Sequence, residues 1–125
     1  MLTLAMLLTM LAVPFIQGAE TITVHFGSGG PEGIRGVACH SDFKAVEGQA
    51  QALCEGLPDN SIMLYPEHIP DRRTLLDTLA HEAAHFRLGV NRDGLTAWER
   101  FHEAEAYAIG RAYAHRACLF PRICE

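Results

Sequence analysis

The chain has 125 residues, a length that suits a single domain. Hydrophobic residues make up 49% of the chain and charged residues 20%, so we expect a packed core rather than a disordered or fibrous protein. The formal net charge of −5 argues against a nucleic-acid partner, because no basic patch is available to neutralise phosphates.

Residues 1–19 have the features of a secretory signal peptide. The segment carries no charged side chain, is largely apolar as far as Ile16, and ends in the small residues Gly18 and Ala19, where cleavage is expected. Because no Lys or Arg precedes the apolar run, an uncleaved N-terminal anchor is an alternative, although a membrane span usually needs about 20 apolar residues. A buried core helix is a third interpretation. Signal and anchor both export residues 20–125 as one domain, periplasmic or secreted, and membrane contact is expected only through an uncleaved segment.

The first half of the exported chain predicts two short strands. Residues 21–26 alternate β-branched residues with others and predict a strand, and the glycine-rich residues 27–36 predict a loop. Residues 42–55 predict a helix with Ser41 as its N-cap, and residues 61–65 predict the second strand.

The second half predicts two longer helices. Asp71 is expected to cap a helix that runs to about Leu88 and ends at Gly89. Thr96 and Glu99 have the spacing of a capping box, which predicts a further helix to about residue 119. These elements predict an α+β fold, in which a short sheet of two or three strands accompanies one helix packed against the other.

Four cysteines follow the export signal: Cys39, Cys54, Cys118 and Cys124. An even number in an exported chain predicts two disulfides, and three connectivities are possible. We favour the pairing that closes the shortest loops, Cys39 with Cys54 and Cys118 with Cys124, over buried free thiols. The spacing is not C-x-x-C, so a cysteine zinc site or a redox motif is not expected.

The segment His81-Glu82-Ala83-Ala84-His85 lies inside the first long helix. Side chains four residues apart lie on the same side of a helix, so both imidazoles can bind one cation. Glu82 can reach a water molecule on that ion and act as general base. The pattern predicts Zn²⁺ as cofactor; the alternative is a polar helix face with two solvated histidines.

The next helix offers the third ligand. At 100° per residue, a stripe of small residues shares the side of Glu103, and such a stripe lets two helix backbones approach closely: Ala106, Gly110 and Ala114. Glu105 points nearly the opposite way, so Glu103 is the expected ligand. The remaining candidates are Glu105, His102 and Glu99.

H-E-A-A-H, followed eighteen residues later by E-A-E-A-Y, resembles the gluzincin arrangement of zinc metallopeptidases. The resemblance is strongest to small bacterial metallopeptidase domains whose second motif is E-x-E-A followed by an aromatic or acidic residue, and it covers residues 61–117. It implies a minimal zincin-like domain with Glu103 as ligand, and a short edge strand, matched by residues 61–65, beside which an extended substrate lies. Many gluzincins carry an acid four residues after the ligand glutamate to hold a zinc histidine. Tyr107 takes that position here, and Asp77 is the expected substitute.

The predicted activity is hydrolysis of a peptide or amide bond, in which Glu82 takes a proton from the attacking water and returns it to the leaving amine. Four side chains on the ligand helix are candidates for stabilising the transition state: Tyr107, Tyr113, His102 and His115. Trp98 and Phe101 are expected in the core rather than at a substrate platform, and His68 as an ordinary loop residue. The rival functions are a non-catalytic, zinc-stabilised binding or immunity-type module and a metal-free interaction protein. The peptide or protein substrate and the oligomeric state stay open.

Overall fold

The computed structural model describes residues 22–43, 52–90, 96–120 and 124, so the predictions for residues 1–19 lie outside the described residues. Three short strands form one mixed sheet in the order β1–β3–β2. They are β1 (Thr23–Phe26), β2 (Gly36–Cys39) and β3 (Ser61–Leu64).

The central strand, β3, runs parallel to β1 and antiparallel to β2. Its central position explains why Ile62 and Leu64 are fully buried, in a cluster with Leu79 and Ala83 of the first long helix. The expectation that residues 61–65 form an edge strand is therefore wrong. The edge beside the site belongs to β2, which begins at the last residue of the predicted loop, Gly36, and continues through residues 37–39, for which no element was predicted.

In the part of the chain that the structure describes, three α-helices follow β3: α1 (Arg72–Leu88), α2 (Ala97–Arg100) and α3 (Glu103–Ala117). The carboxylate of Asp71 accepts a 2.7 Å hydrogen bond from the Thr74 amide, which confirms the predicted N-cap. Gly89 ends α1 with a φ of 69°, a conformation that favours glycine. Helix α1 packs along α3, and the predicted α+β fold is confirmed.

The single helix predicted from residue 96 to residue 119 is broken. The capping box forms as expected, with the Glu99 amide donating to Thr96 Oγ1 over 3.1 Å. The helix nevertheless ends at Arg100, because His102 adopts the left-handed conformation, with φ 57° and ψ 38°. The break turns Phe101 into the core, where its side chain is 1% exposed.

The helix predicted for residues 42–55 lies largely outside the described residues. Its start, Ser41–Phe43, is a short 3-10 helix. A second 3-10 helix, Pro66–His68, connects β3 to α1.

Two disulfides confirm the predicted pairing. Cys39 at the end of β2 is bonded to Cys54, and Cys118 at the end of α3 is bonded to Cys124. Two disulfides fit an oxidising, exported compartment. Within the described ranges, none of the helices combines the length and apolar character needed to cross a bilayer.

Candidate metal centre

Helix α1 brings two imidazoles together. His81 and His85 stand one turn apart on the side of α1 that faces α3, and their Nε2 atoms lie 3.2 Å from each other. Both side chains are removed from water, with residue exposures of 8% and 0%. The spacing of four residues thus produces the pair of converging nitrogens that the sequence predicted.

Helix α3 supplies a carboxylate to the same point. Glu103 Oε1 lies 2.6 Å from His85 Nε2 and 3.6 Å from His81 Nε2. The small-residue stripe makes this approach possible, because Ala106 is fully buried against α1 and Gly110 lies directly against its backbone. A β-carbon at position 110 would lie only 2.7 Å from the carbonyl oxygen of Asp77.

The three converging atoms have the spacing of a metal site. Tetrahedral zinc with bonds of about 2.0–2.1 Å places its ligand atoms roughly 3.3 Å apart. The distances from His81 Nε2 to His85 Nε2 and to Glu103 Oε1, 3.2 and 3.6 Å, match that spacing. The third distance, 2.6 Å from Glu103 Oε1 to His85 Nε2, is that of a hydrogen bond and is shorter than the spacing around zinc. His81, His85 and Glu103 can therefore hold a metal ion.

The hydrogen bond of His85 Nδ1 determines whether Nε2 of the same ring carries a proton. Its Nδ1 lies 3.1 Å from the carbonyl oxygen of Phe101, which can only accept, so Nδ1 carries the proton and donates. In the neutral ring Nε2 then presents a lone pair to the Glu103 carboxylate at 2.6 Å. Two acceptors at that distance need a proton or a cation between them. A backbone carbonyl that holds the outer nitrogen of a histidine is a common feature of metal sites.

The electrostatics of the triad favour an ionised carboxylate. Burial alone would raise the pKa of Glu103, but hydrogen bonds and charge interactions with His81 and His85 outweigh it and lower the pKa to about 2. Burial lowers the pKa of His85. Burial acts in the same direction on His81, but the hydrogen bond to Glu103 and the charges of Glu82, Glu103 and Asp77 raise its pKa overall. Glu103 therefore remains an anion throughout the pH range in which the imidazoles lose their protons.

Glu82 faces the same region from α1. Its Oε1 lies 3.5 Å from His81 Nε2 and 4.0 Å from His85 Nε2, and the residue is 5% exposed. Its oxygen is close to the triad without belonging to the set of mutually converging ligand atoms. This is the position required of a base that acts on a water molecule beside the cation.

The outer nitrogen of His81, Nδ1, lacks the hydrogen bond that was expected. Asp77 was expected to accept a hydrogen bond from this histidine, but His81 Nδ1 is buried with no hydrogen-bond partner among the described residues. Asp77 instead lies against Gly110 of α3. Tyr107, at the position where many gluzincins carry an acid, places its ring centroid 4.3 Å from that of His81. The His81 ring is therefore in contact with an aromatic ring of α3, and the hydrogen bond expected from Asp77 is not formed.

The other ligand candidates lie away from the triad. Glu105 is exposed and its Oε2 is 3.9 Å from Nδ1 of His102, while Glu99 bonds with Thr96 at the start of α2. Tyr113 and His115 lie ten or more residues along α3 from Glu103, which is about 15 Å or more at 1.5 Å per residue. Of the side chains considered for transition-state stabilisation, only Tyr107 borders the triad.

A cleft of about 370 Å³ opens in front of the triad. Helices α1 and α3 form one side, and residues 33–37, which lead into β2, form the other. His68 also lines the cleft and anchors the glycine-rich loop, since its Nε2 lies 3.0 Å from the Gly30 carbonyl oxygen while Glu67 accepts from the Gly30 amide over 2.9 Å. Sequence reasoning missed the role of His68, because it depends on the glycine-rich loop packing against the segment that follows β3.

No family model, curated protein or solved structure matches this chain. Its function must therefore be argued from the chemistry of the site.

Proposed function

We propose that this chain is an exported zinc-dependent hydrolase that cleaves peptide or amide bonds, with the ligand arrangement of a minimal gluzincin. One observation carries the proposal: two imidazole nitrogens and one carboxylate oxygen converge beside a buried glutamate, Glu82, in an open cleft. Two histidines and one glutamate are a ligand set of catalytic zinc sites, which keep a fourth position free. Calcium and magnesium prefer sites made of oxygen atoms, so the two imidazoles favour zinc.

In the proposed mechanism, a bound zinc ion would polarise the substrate carbonyl and lower the pKa of a water molecule to about 7. Glu82 takes the proton of the attacking water and returns it to the leaving amine, and its low exposure keeps this transfer away from bulk solvent. Burial and the charges of Glu103 and Glu82 raise the pKa of Tyr107, so its hydroxyl is protonated at neutral pH. From its place at the cleft, Tyr107 donates a hydrogen bond to the oxyanion.

The rival function, a zinc-stabilised binding module, would be favoured by a fourth protein ligand that closes the site. Within the described ranges, the converging set has three members. His102, one of the alternative ligands considered from the sequence, instead places its Nδ1 3.9 Å from Oε2 of Glu105. The open side of the triad supports catalysis over a structural role.

The test combines metal analysis with turnover. We expect one zinc per purified exported chain by inductively coupled plasma mass spectrometry, and loss of that zinc in His85→Ala. Glu82→Gln should retain zinc and lose hydrolysis of casein, because only the base is removed. Glu105→Gln is the matched control, an exposed carboxylate on α3 whose loss should change neither quantity. A metal-free wild type, or full activity in Glu82→Gln, would overturn the proposal.

A further inference from the structure

Two exposed aromatic rings lie between the candidate metal site and solvent. The rings of Trp98 and Tyr107 are stacked, with centroids 5.5 Å apart and planes inclined by 24°. The two residues are 51% and 43% exposed. Since the Tyr107 ring also contacts the ring of His81, with centroids 4.3 Å apart, a row of three rings leads from a ligand of the triad to the surface.

The break between α2 and α3 creates this row. In one continuous helix, residues nine apart are rotated by about half a turn and point to opposite faces. Trp98 and Tyr107 would then be separated by the body of the helix. The left-handed conformation of His102, which residues other than glycine adopt rarely, folds α2 back and stacks Trp98 on Tyr107. A strained conformation beside a candidate site is a known mark of functional geometry.

The surface of this row suits an apolar group. A single exposed aromatic side chain is ordinary, but a contiguous aromatic surface that borders a cleft marks a binding site. The adjoining cleft carries three carboxylates, those of Asp77, Glu82 and Glu103, and one guanidinium, that of Arg35, so negative side chains outnumber the fixed cation and disfavour an acidic group. The two centroid separations, 4.3 and 5.5 Å, place the Trp98 ring no further from the His81 ring than the length of roughly three residues of extended chain, at about 3.3 Å each.

We infer that Trp98 and Tyr107 form an aromatic shelf that binds a large apolar side chain of the peptide substrate, within about three residues of the cleaved bond. The identity of the ligand as a peptide rests on the proposed function. The shelf gives the enzyme a preference for aromatic or large aliphatic residues at one position. Trp98 and Tyr107 are specificity-determining residues in this arrangement, with Trp98 contacting only the substrate side chain.

Binding can be measured directly, because Trp98 is the single tryptophan of the chain. The sample is the full-length, zinc-loaded Glu82→Gln protein, which does not turn over. The probes are blocked hexapeptides of alanine and serine, each with one Phe, Leu or Glu at a single position. We expect a saturable change in tryptophan emission for the Phe and Leu peptides, with affinity roughly tenfold higher than for the Glu peptides. Equal affinity for all peptides, or no emission change, would overturn the inference.

Cleavage separates this inference from the proposed function. Trp98→Ala should keep its zinc but cut casein more slowly, because a contact with the substrate is lost. Mass spectrometry of the fragments should show loss of the preference for large apolar residues. Phe120→Ala is the matched control, an aromatic residue 66% exposed beyond the far end of α3, and should keep the preference. An unchanged preference in Trp98→Ala would refute the shelf while leaving the hydrolase intact. Selective binding without any cleavage would instead refute the hydrolase and leave the shelf.

Discussion

The contact of Gly110 with α1 allows the sharpest test of how the candidate metal centre is assembled. Gly110→Ala adds a β-carbon 2.5 Å from Oδ1 and 2.7 Å from the carbonyl oxygen of Asp77, and 3.3 Å from Cβ of His81. The Asp77 carboxylate can rotate away, but the carbonyl oxygen belongs to the backbone of α1. To restore van der Waals separation, α3 must move outward by about 0.7 Å.

The movement has two measurable consequences. Overpacking lowers the free energy of unfolding by about 1–3 kcal/mol, whereas the better helix propensity of alanine raises it by about 1 kcal/mol. We therefore expect a net loss of stability of about 1 kcal/mol. A shift of that size also exceeds the roughly 0.2 Å within which metal–ligand distances are held. Glu103 Oε1 already lies 3.6 Å from His81 Nε2, slightly beyond the spacing that a shared zinc ion requires. Because Glu103 moves away with α3 while the histidines stay on α1, zinc affinity should fall about ten- to hundredfold.

Urea unfolding of the metal-free protein measures the first effect, and competition with a chromophoric zinc chelator measures the second. Ala112→Ser is the control, since it adds one heavy atom to an exposed position of the same helix and should change stability by less than about 0.5 kcal/mol. If Gly110→Ala unfolds at the same or a higher urea concentration and binds zinc as tightly as wild type, close helix contact does not position the third ligand.

Three further predictions follow from the structure. The pKa of Glu103 is lowered from 4.5 to about 2 in the folded protein, so its contribution to stability is complete above pH 4.5 and is lost as the pH falls towards 2. The free energy of unfolding of metal-free Glu103→Gln should therefore fall less steeply than that of the metal-free wild type as the pH is lowered across this range. Urea unfolding measures this difference. His102→Gly should leave the free energy of unfolding nearly unchanged, because glycine adopts positive φ readily. His102→Val should lower it by about 1–2 kcal/mol, because a β-branched residue resists positive φ. Thermal unfolding of the two variants tests this difference. Replacing Cys39 and Cys54 together by Ser should destabilise the chain by about 3 kcal/mol, the loop-closure value for a separation of 15 residues, as measured by urea unfolding; an unchanged midpoint would show that this disulfide does not constrain the unfolded chain.

Much of the site could be predicted because its pattern is local. The spacing of His81 and His85 places both rings on one side of α1, and the caps at Asp71 and Gly89 bound that helix. The same periodicity put Glu103 on the small-residue side of α3 and Glu105 on the other, as the structure shows. Helical phase depends only on residues a few positions apart, so one sequence is sufficient to determine it.

The sheet and the break before α3 were decided at longer range. Residues 61–65 read correctly as a strand, but whether a strand is central or at an edge depends on which segments pair with it, and β2 adds to it from a segment that resembles a loop. The conformation of His102 has no local signal, since the segment reads as an uninterrupted helix. Burial of Phe101 against the ring of His85, with centroids 3.9 Å apart, accompanies that break.

By itself, the sequence determined helix α1 with its caps, the favoured disulfide partners and the three side chains that could hold a metal ion, because each follows from spacing along the chain. Only the tertiary structure decided that the Phe101 carbonyl orients His85 and that Trp98 lies on Tyr107 rather than in the core. Every residue has a backbone carbonyl, so the sequence does not indicate which carbonyl will bind His85. The direction of α2 depends on contacts with α1 and α3, so it cannot be predicted from the local sequence either.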